Sequence, residues 1–308
     1  MSRFRFSASD AALSGFRFIG REPRTILVWA GVLFLYEVVY GLLVVTLAHD
    51  KLSAVQTFRE TNSTDPEAAL AMLPTISPLL LLTFVALLFV AAVTFAAAYR
   101  AQLEPEPDKW GHLRVGHDEL RFAALILIWI ALSVGASLII TFFTALLSSL
   151  GQALPPIIAL PYIVLLIVAA IAAFIYPLVR LSLSMPMTYA DAHVRLLESW
   201  KPTRGHFWPL LGAYLLAGIM ILLLLFAVWS VVAVIAAVIA VLVHFPITAL
   251  SGLFQRDTSS LAAYFSPLSI VAALLNSGAW AASLAIFCAP VAEAYRSLQE
   301  GEAQAAEF

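Results

Sequence analysis

Charge is what this sequence has least of. Only 12% of its 308 residues are Asp, Glu, Lys or Arg, against about 25% in an ordinary soluble domain. Apolar residues make up 62%, more than one water-soluble core can hide, so an integral membrane protein is expected. A transmembrane helix takes about 20 apolar residues, and several of them leave no room for a sizeable soluble catalytic domain. Other shortages narrow the function further. The net charge is −2, whereas nucleic acid needs a basic face that displaces its counterions, so nucleic acid is not an expected partner. The single cysteine, Cys288, lies inside an apolar run and cannot form an intramolecular disulfide. The first 24 residues carry five arginines, and no short apolar segment with a small-residue cleavage site follows. The first span is therefore expected to stay as an anchor.

Catalytic patterns are missing as well. No glycine-rich phosphate loop, nucleophile elbow or pair of carboxylates within one span can be found. His112, His117 and His193 lack the spacing of a zinc site. The sequence thus points to no enzyme, no metal and no cofactor.

What is present is a series of long uncharged runs, at residues 25–48, 77–99, 122–150, 157–179, 207–243 and 268–292. They predict an all-α polytopic membrane protein, a single transmembrane domain of six helices. Residues 1–24 form a polar N-tail, and 101–121 and 180–206 are the longer polar connections. The fifth run, at 37 residues, would make roughly 55 Å of helix against a hydrocarbon core of about 30 Å. It is expected to be one long helix, tilted or protruding, that ends before Pro246 and is covered by residues 52–73 and 247–265. Two spans are the alternative. Of the 17 lysines and arginines, all but Lys51, Arg59 and Arg256 fall in alternate segments, namely the N-tail, the two longer connections and the C-tail. By the positive-inside rule both termini are then cytoplasmic.

The chain also carries traces of a parallel repeat. Ser7-Ala8-Ser9-Asp10-Ala11 and Thr188-Tyr189-Ala190-Asp191-Ala192 share a hydroxyl residue followed three positions later by Asp, close to the signature that opens a helix. Both lead into amphipathic stretches, with Leu13, Phe16 and Ile19 on the apolar face of the first and Tyr189, Ala192, Leu196, Leu197 and Trp200 on that of the second. Such helices would lie at the headgroup boundary or dock a cytoplasmic partner. Gly116-His117-Asp118-Glu119 would open a middle unit. Tyr99-Arg100 and Tyr295-Arg296 close matching spans, and Arg180 closes another more loosely. Chance also yields such endings, since tyrosine and arginine favour span ends.

Polar residues within the apolar runs are the candidate site. Glu37 lies about 18 Å along its span, where an ionised carboxylate is costly unless paired, hydrated or protonated. Asn276 falls at a comparable depth, and Ser133 and Ser137 are near mid-membrane on the third span. Together they are candidates for an intramembrane polar site or, in the plainer reading, for hydrogen bonds that join helices. Arg100, Arg180 and Arg296 are candidates to bind anionic headgroups as part of a basic rim.

Two stretches resemble a known group. Residues 99–106, Tyr-Arg-Ala-Gln-Leu-Glu-Pro-Glu, and residues 113–121, Leu-Arg-Val-Gly-His-Asp-Glu-Leu-Arg, are similar to the second connection of uncharacterised six-span inner-membrane proteins of alphaproteobacteria. Arg180-Leu181-Ser182-Leu183-Ser184-Met185-Pro186, with Ser199-Trp200 and Gly205-His206-Phe207-Trp208, resembles the fourth connection of the group named for the membrane domain of glycerophosphoryl diester phosphodiesterases, which includes the YciC-like proteins. Val115 stands where that pattern has Leu. The resemblance implies a freestanding bundle in a bacterial inner membrane, without the soluble phosphodiesterase barrel or its activity. The expected function is a non-catalytic module that handles membrane lipid or anchors a cytoplasmic or membrane partner. A small-solute or proton-coupled transporter that uses Glu37 is the alternative.

Overall fold

The computed structural model describes residues 6–48, 66–104, 106, 108–151, 155–243 and 258–306. They are helical nearly throughout. In chain order the helices are α1 (Ala8–Arg21), α2 (Pro23–Leu43, continued by a π turn, Val44–Ala48), α3 (Pro66–Leu103), α4 (His117–Gly151), α5 (Pro156–Leu181) and α6 (Ser184–Ala190). A short 3-10 turn, Leu197–Trp200, precedes α7 (Phe207–Val243), α8 (Leu261–Tyr264) and α9 (Pro267–Ala306). Six stretches are long and apolar enough to cross a membrane: Pro23–Leu47, Ser77–Leu103, His117–Ser149, Ile157–Ala190, Phe207–Leu242 and Pro267–Glu300. The fold is the expected all-α polytopic bundle.

Helix starts follow local chemistry. Ser7 caps α1 by accepting the N–H of Asp10 at 3.4 Å. Pro23, Pro156 and Pro267 each occupy the first helical position, where a missing N–H costs nothing. At the start of α4, Glu119 reaches back to accept the N–H of Gly116 at 2.8 Å, the carboxylate half of a capping box.

The fifth run is one uninterrupted helix of 37 residues, but it is not exceptional. Helices α3, α4 and α9 have 38, 35 and 40 residues, so each exceeds the roughly 20 residues a membrane requires. Residues 49–65 and 244–257, which include most of the expected covering segments, lie outside the described residues.

Helix α9 is the hub, packing against α1, α2, α3 and α7. Of its most apolar stretch 44% is buried inside the protein, against 0% for the fourth span. Small residues make this possible. Ala92, Ala96, Ala97 and Ala98 on α3 and Ala281, Ala285, Ala292 and Ala294 on α9 belong to one core with Trp29, Tyr99, Phe122, Leu183 and Leu210, and alanines let helix backbones approach closely. This core occupies the arginine-rich end of the bundle. Helices α4 and α5 pack on one another, with α3 beside α4, and turn long apolar faces outward, Leu138, Phe142, Leu160 and Leu165 among them.

Of the two amphipathic expectations, the one for the stretch after Thr188 is corrected. Helix α1 packs on the bundle through Ala11, Ala12 and Gly15 and leaves Leu13 and Phe16 exposed. A Cβ on Gly15 would lie 2.6 Å from the Cα of Ile286 on α9, so contact at this distance requires glycine. The stretch after Thr188 is not a helix start. Helix α6 ends at Ala190, Ala192 takes a left-handed φ of 53°, and the Thr188 hydroxyl accepts the N–H of Arg195 at 3.1 Å. The same local pattern therefore opens one helix and closes another.

Candidate functional site

The three span-closing arginines meet three different environments. Arg100, in the last turn of α3, is only 2% exposed. Its guanidinium donates to Glu119 Oε1 at 3.0 Å, Asp118 Oδ2 at 3.4 Å and the His112 carbonyl at 2.6 Å. It also lies 5.7 Å from the ring centre of Tyr189, whose hydroxyl donates to Glu104 at 2.6 Å. Arg100 thus ties the ends of α3, α4 and α6 together, and its donors are taken up within the protein. The connection between α3 and α4 is pinned from the other side by Trp29, whose indole N–H donates to the Gly111 carbonyl at 2.8 Å. Gly111 has a φ of 62° and sits against Val28, which accounts for glycine there. His112 follows with a φ of 60° and is buried. Burial, with Arg100 and Arg114 nearby, lowers its pKa below the usual value, although Asp108 and Glu22 pull the other way.

Arg180, at the end of α5, is equally buried at 4% exposure but has no carboxylate within ion-pair distance among the described residues. Its guanidinium lies 4.8 Å from the ring centre of Trp200, and its Nε has no hydrogen-bond partner. Its carbonyl is the better satisfied end, accepting from Ser199 at 3.1 Å and Thr203 at 2.9 Å.

Arg296 is half-exposed and pairs loosely with Glu293 at 3.4 Å. It lines a cavity of about 440 Å³ with Arg17 and Arg21 of α1, Gln102 at the end of α3, and Ala289 and Glu293 of α9. Arg100 and Arg180 do not line it. Arg17 and Arg21 were not singled out from the sequence, yet their spacing of four places both on one side of α1.

The intramembrane candidates separate as well. Glu37 on α2 accepts a hydrogen bond from Ser277 on α9 at 3.2 Å. Asn276 is half-buried one position earlier, about 100° around the helix. Ser269 and Ser277 stand two turns apart on α9. A recess of about 10 Å³ lies between Glu37, Ser269 and the aromatic pair Tyr264 and Phe265, space for about one water. Ser133 and Ser137 belong to α4, which packs on α3, α5 and α6; Ser133 is half-buried, and Ser137 is exposed and donates to the Val134 carbonyl of its own helix at 2.8 Å. Among the described residues no three His, Cys, Asp or Glu side chains gather as metal ligands.

No protein-family model, curated protein or solved structure matches this chain.

Proposed function

We propose that this protein is a non-catalytic module of a bacterial inner membrane, with both termini cytoplasmic, that holds anionic lipid at its arginine-rich end. On the resemblance of residues 99–121 and 180–208, we place it with the six-span group named for the membrane domain of glycerophosphoryl diester phosphodiesterases. The observation that carries the lipid reading is the 440 Å³ cavity with three arginines and one glutamate in its wall. Its volume falls within the roughly 300–1,000 Å³ typical of ligand sites, and it opens where the spans end. The same surface would serve a partner protein if lipid proved absent.

Transport through Glu37 has less support. A pathway needs connected space, and the recess at Glu37 holds about one water. The serine contact on α9 suits a carboxyl group that joins two helices.

Two measurements test the proposal. Native mass spectrometry of the purified chain is expected to show anionic lipid retained through detergent exchange; a bare protein would sink the lipid reading. Proteoliposomes enclosing a pH-sensitive dye are expected to dissipate an imposed pH gradient no faster than empty vesicles. A faster decay that Glu37→Gln abolishes would put transport in its place.

A further inference from the structure

Arg17 and Arg21 lie one turn apart near the end of α1, and the cavity wall brings Arg296 of α9 beside them. Glu293 is the one acidic side chain in that wall, so positive groups exceed negative by two. The backbone changes this balance. Helices α1 and α3 both end here, at Arg21 and Leu103, while α2 begins at Pro23; each C-terminus contributes roughly −0.5 of a charge and the N-terminus roughly +0.5. About one and a half positive charges are left over.

Donors are free to use it. A guanidinium has five N–H groups. Arg17 gives one nitrogen to the Asp10 carbonyl at 2.6 Å, and Arg296 meets Glu293 at 3.4 Å through one nitrogen. Arg21 is exposed and makes no ion pair with a described residue. A guanidinium fork matches the spacing of two phosphate oxygens.

From this we infer that the cavity between α1, α9 and the end of α3 binds a monoanionic phosphodiester through Arg17, Arg21 and Arg296. This inference rests on the lipid reading above and specifies its chemistry. A phosphodiester carries one charge and stays within the surplus. A phosphomonoester carries about 1.5 to 2 at neutral pH and meets or exceeds it. The cavity lies at the end of the sixth span, and Phe18, Ala101, Leu103, Ala289 and Ala292 supply apolar wall beside the arginines. That combination fits a headgroup entering from the membrane boundary, with a small soluble phosphodiester as the other source of the same chemistry.

The test uses the full chain in detergent, offered phosphatidylglycerol, phosphatidic acid or phosphatidylcholine and read by native mass spectrometry. Phosphatidylglycerol is expected to bind best, and the triple variant Arg17→Gln, Arg21→Gln, Arg296→Gln to lose about tenfold in affinity. A control triple, Lys109→Gln, Arg114→Gln, Arg204→Gln, removes equal charge elsewhere at the same end and should stay within about twofold. Changing the three cavity arginines to Lys keeps the charge but not the fork and should fall between. It also guards against misfolding, as does a melting curve for each variant. Equal losses in both Gln triples, or none in either, would overturn the site while leaving the lipid reading in place. Preference for phosphatidic acid would overturn the charge argument. A wild-type chain that holds no lipid would overturn the lipid reading, and the site with it unless dimethyl phosphate binds. Dimethyl phosphate, added as competitor, separates the sources: displacement of lipid at millimolar concentration supports a soluble phosphodiester, and no displacement supports the headgroup.

Discussion

Arg100 and Arg180 end comparable helices and are buried to the same degree, yet the protein treats them in opposite ways. Around Arg100 are Glu119, Asp118 and the His112 carbonyl, all within 3.4 Å. Around Arg180 the described contact is the face of Trp200. The first region satisfies a buried charge with charge and hydrogen bonds, and the second tolerates one with an aromatic surface. What differs is the next element of chain. After Arg100 comes a connection that delivers the acidic start of α4, while after Arg180 the chain turns into α6 and the 3-10 segment that carries Trp200. Burial of an arginine is therefore not itself a sign of an ion pair, and the two regions should respond differently to mutation.

The largest difference is expected at Glu119. Glu119→Ala leaves the Arg100 guanidinium buried with only Asp118 as a carboxylate partner and uncaps α4, which should cost about 3–5 kcal/mol. Denaturant unfolding in detergent micelles measures it, and a loss under about 1 kcal/mol would mean that Asp118 alone satisfies Arg100. Next comes Trp29→Phe, which keeps most of the ring but strands the Gly111 carbonyl. An unpaired buried acceptor costs about 1–3 kcal/mol, and amide exchange at residues 108–116 should quicken accordingly.

A smaller effect follows from His112. Its pKa is lowered in the folded protein, so the unfolded chain binds the proton more readily. Its contribution to stability is complete above the unfolded pKa of about 6.5 and falls as pH drops below that value. Melting between pH 7.5 and 5 should show the loss. His112→Asn, which tolerates the positive φ, should flatten that part of the profile; an unchanged slope would assign the pH dependence to other groups.

The smallest effect is expected at Arg180. Arg180→Met gives up a cation–π contact worth about 0.5–2 kcal/mol but removes a buried charge that lacks a carboxylate. The two changes should nearly cancel, leaving less than about 1 kcal/mol in either direction. A loss as large as that of Glu119→Ala would show that Arg180 has a strong anionic partner in the working protein, and the contrast with Arg100 would disappear.

Much of this architecture could be read from residue order. Apolar runs located six spans because each must bury its backbone hydrogen bonds in a helix of membrane length, and Ser7 announced the start of α1 through a contact made within one turn. Glu37 stood out because a carboxyl group deep in an apolar run is rare. Thr188 shows where such reading stops. It repeats the Ser7 pattern, but the left-handed turn at Ala192 and the bond to Arg195 close a helix instead.

Composition and the length of the apolar runs by themselves determined that this protein is a helical membrane bundle, because both are local demands of the bilayer on the chain. Only the tertiary structure decided that α9 is the hub, that Glu37 meets Ser277, that Arg100 finds Glu119 while Arg180 finds Trp200, and that Arg17 and Arg21 stand with Arg296 around one cavity. Those pairings depend on how helices rotate and which approach closely, as at Gly15 and the alanines of α3 and α9. Helix rotation and contact distance arise from packing between segments far apart in sequence.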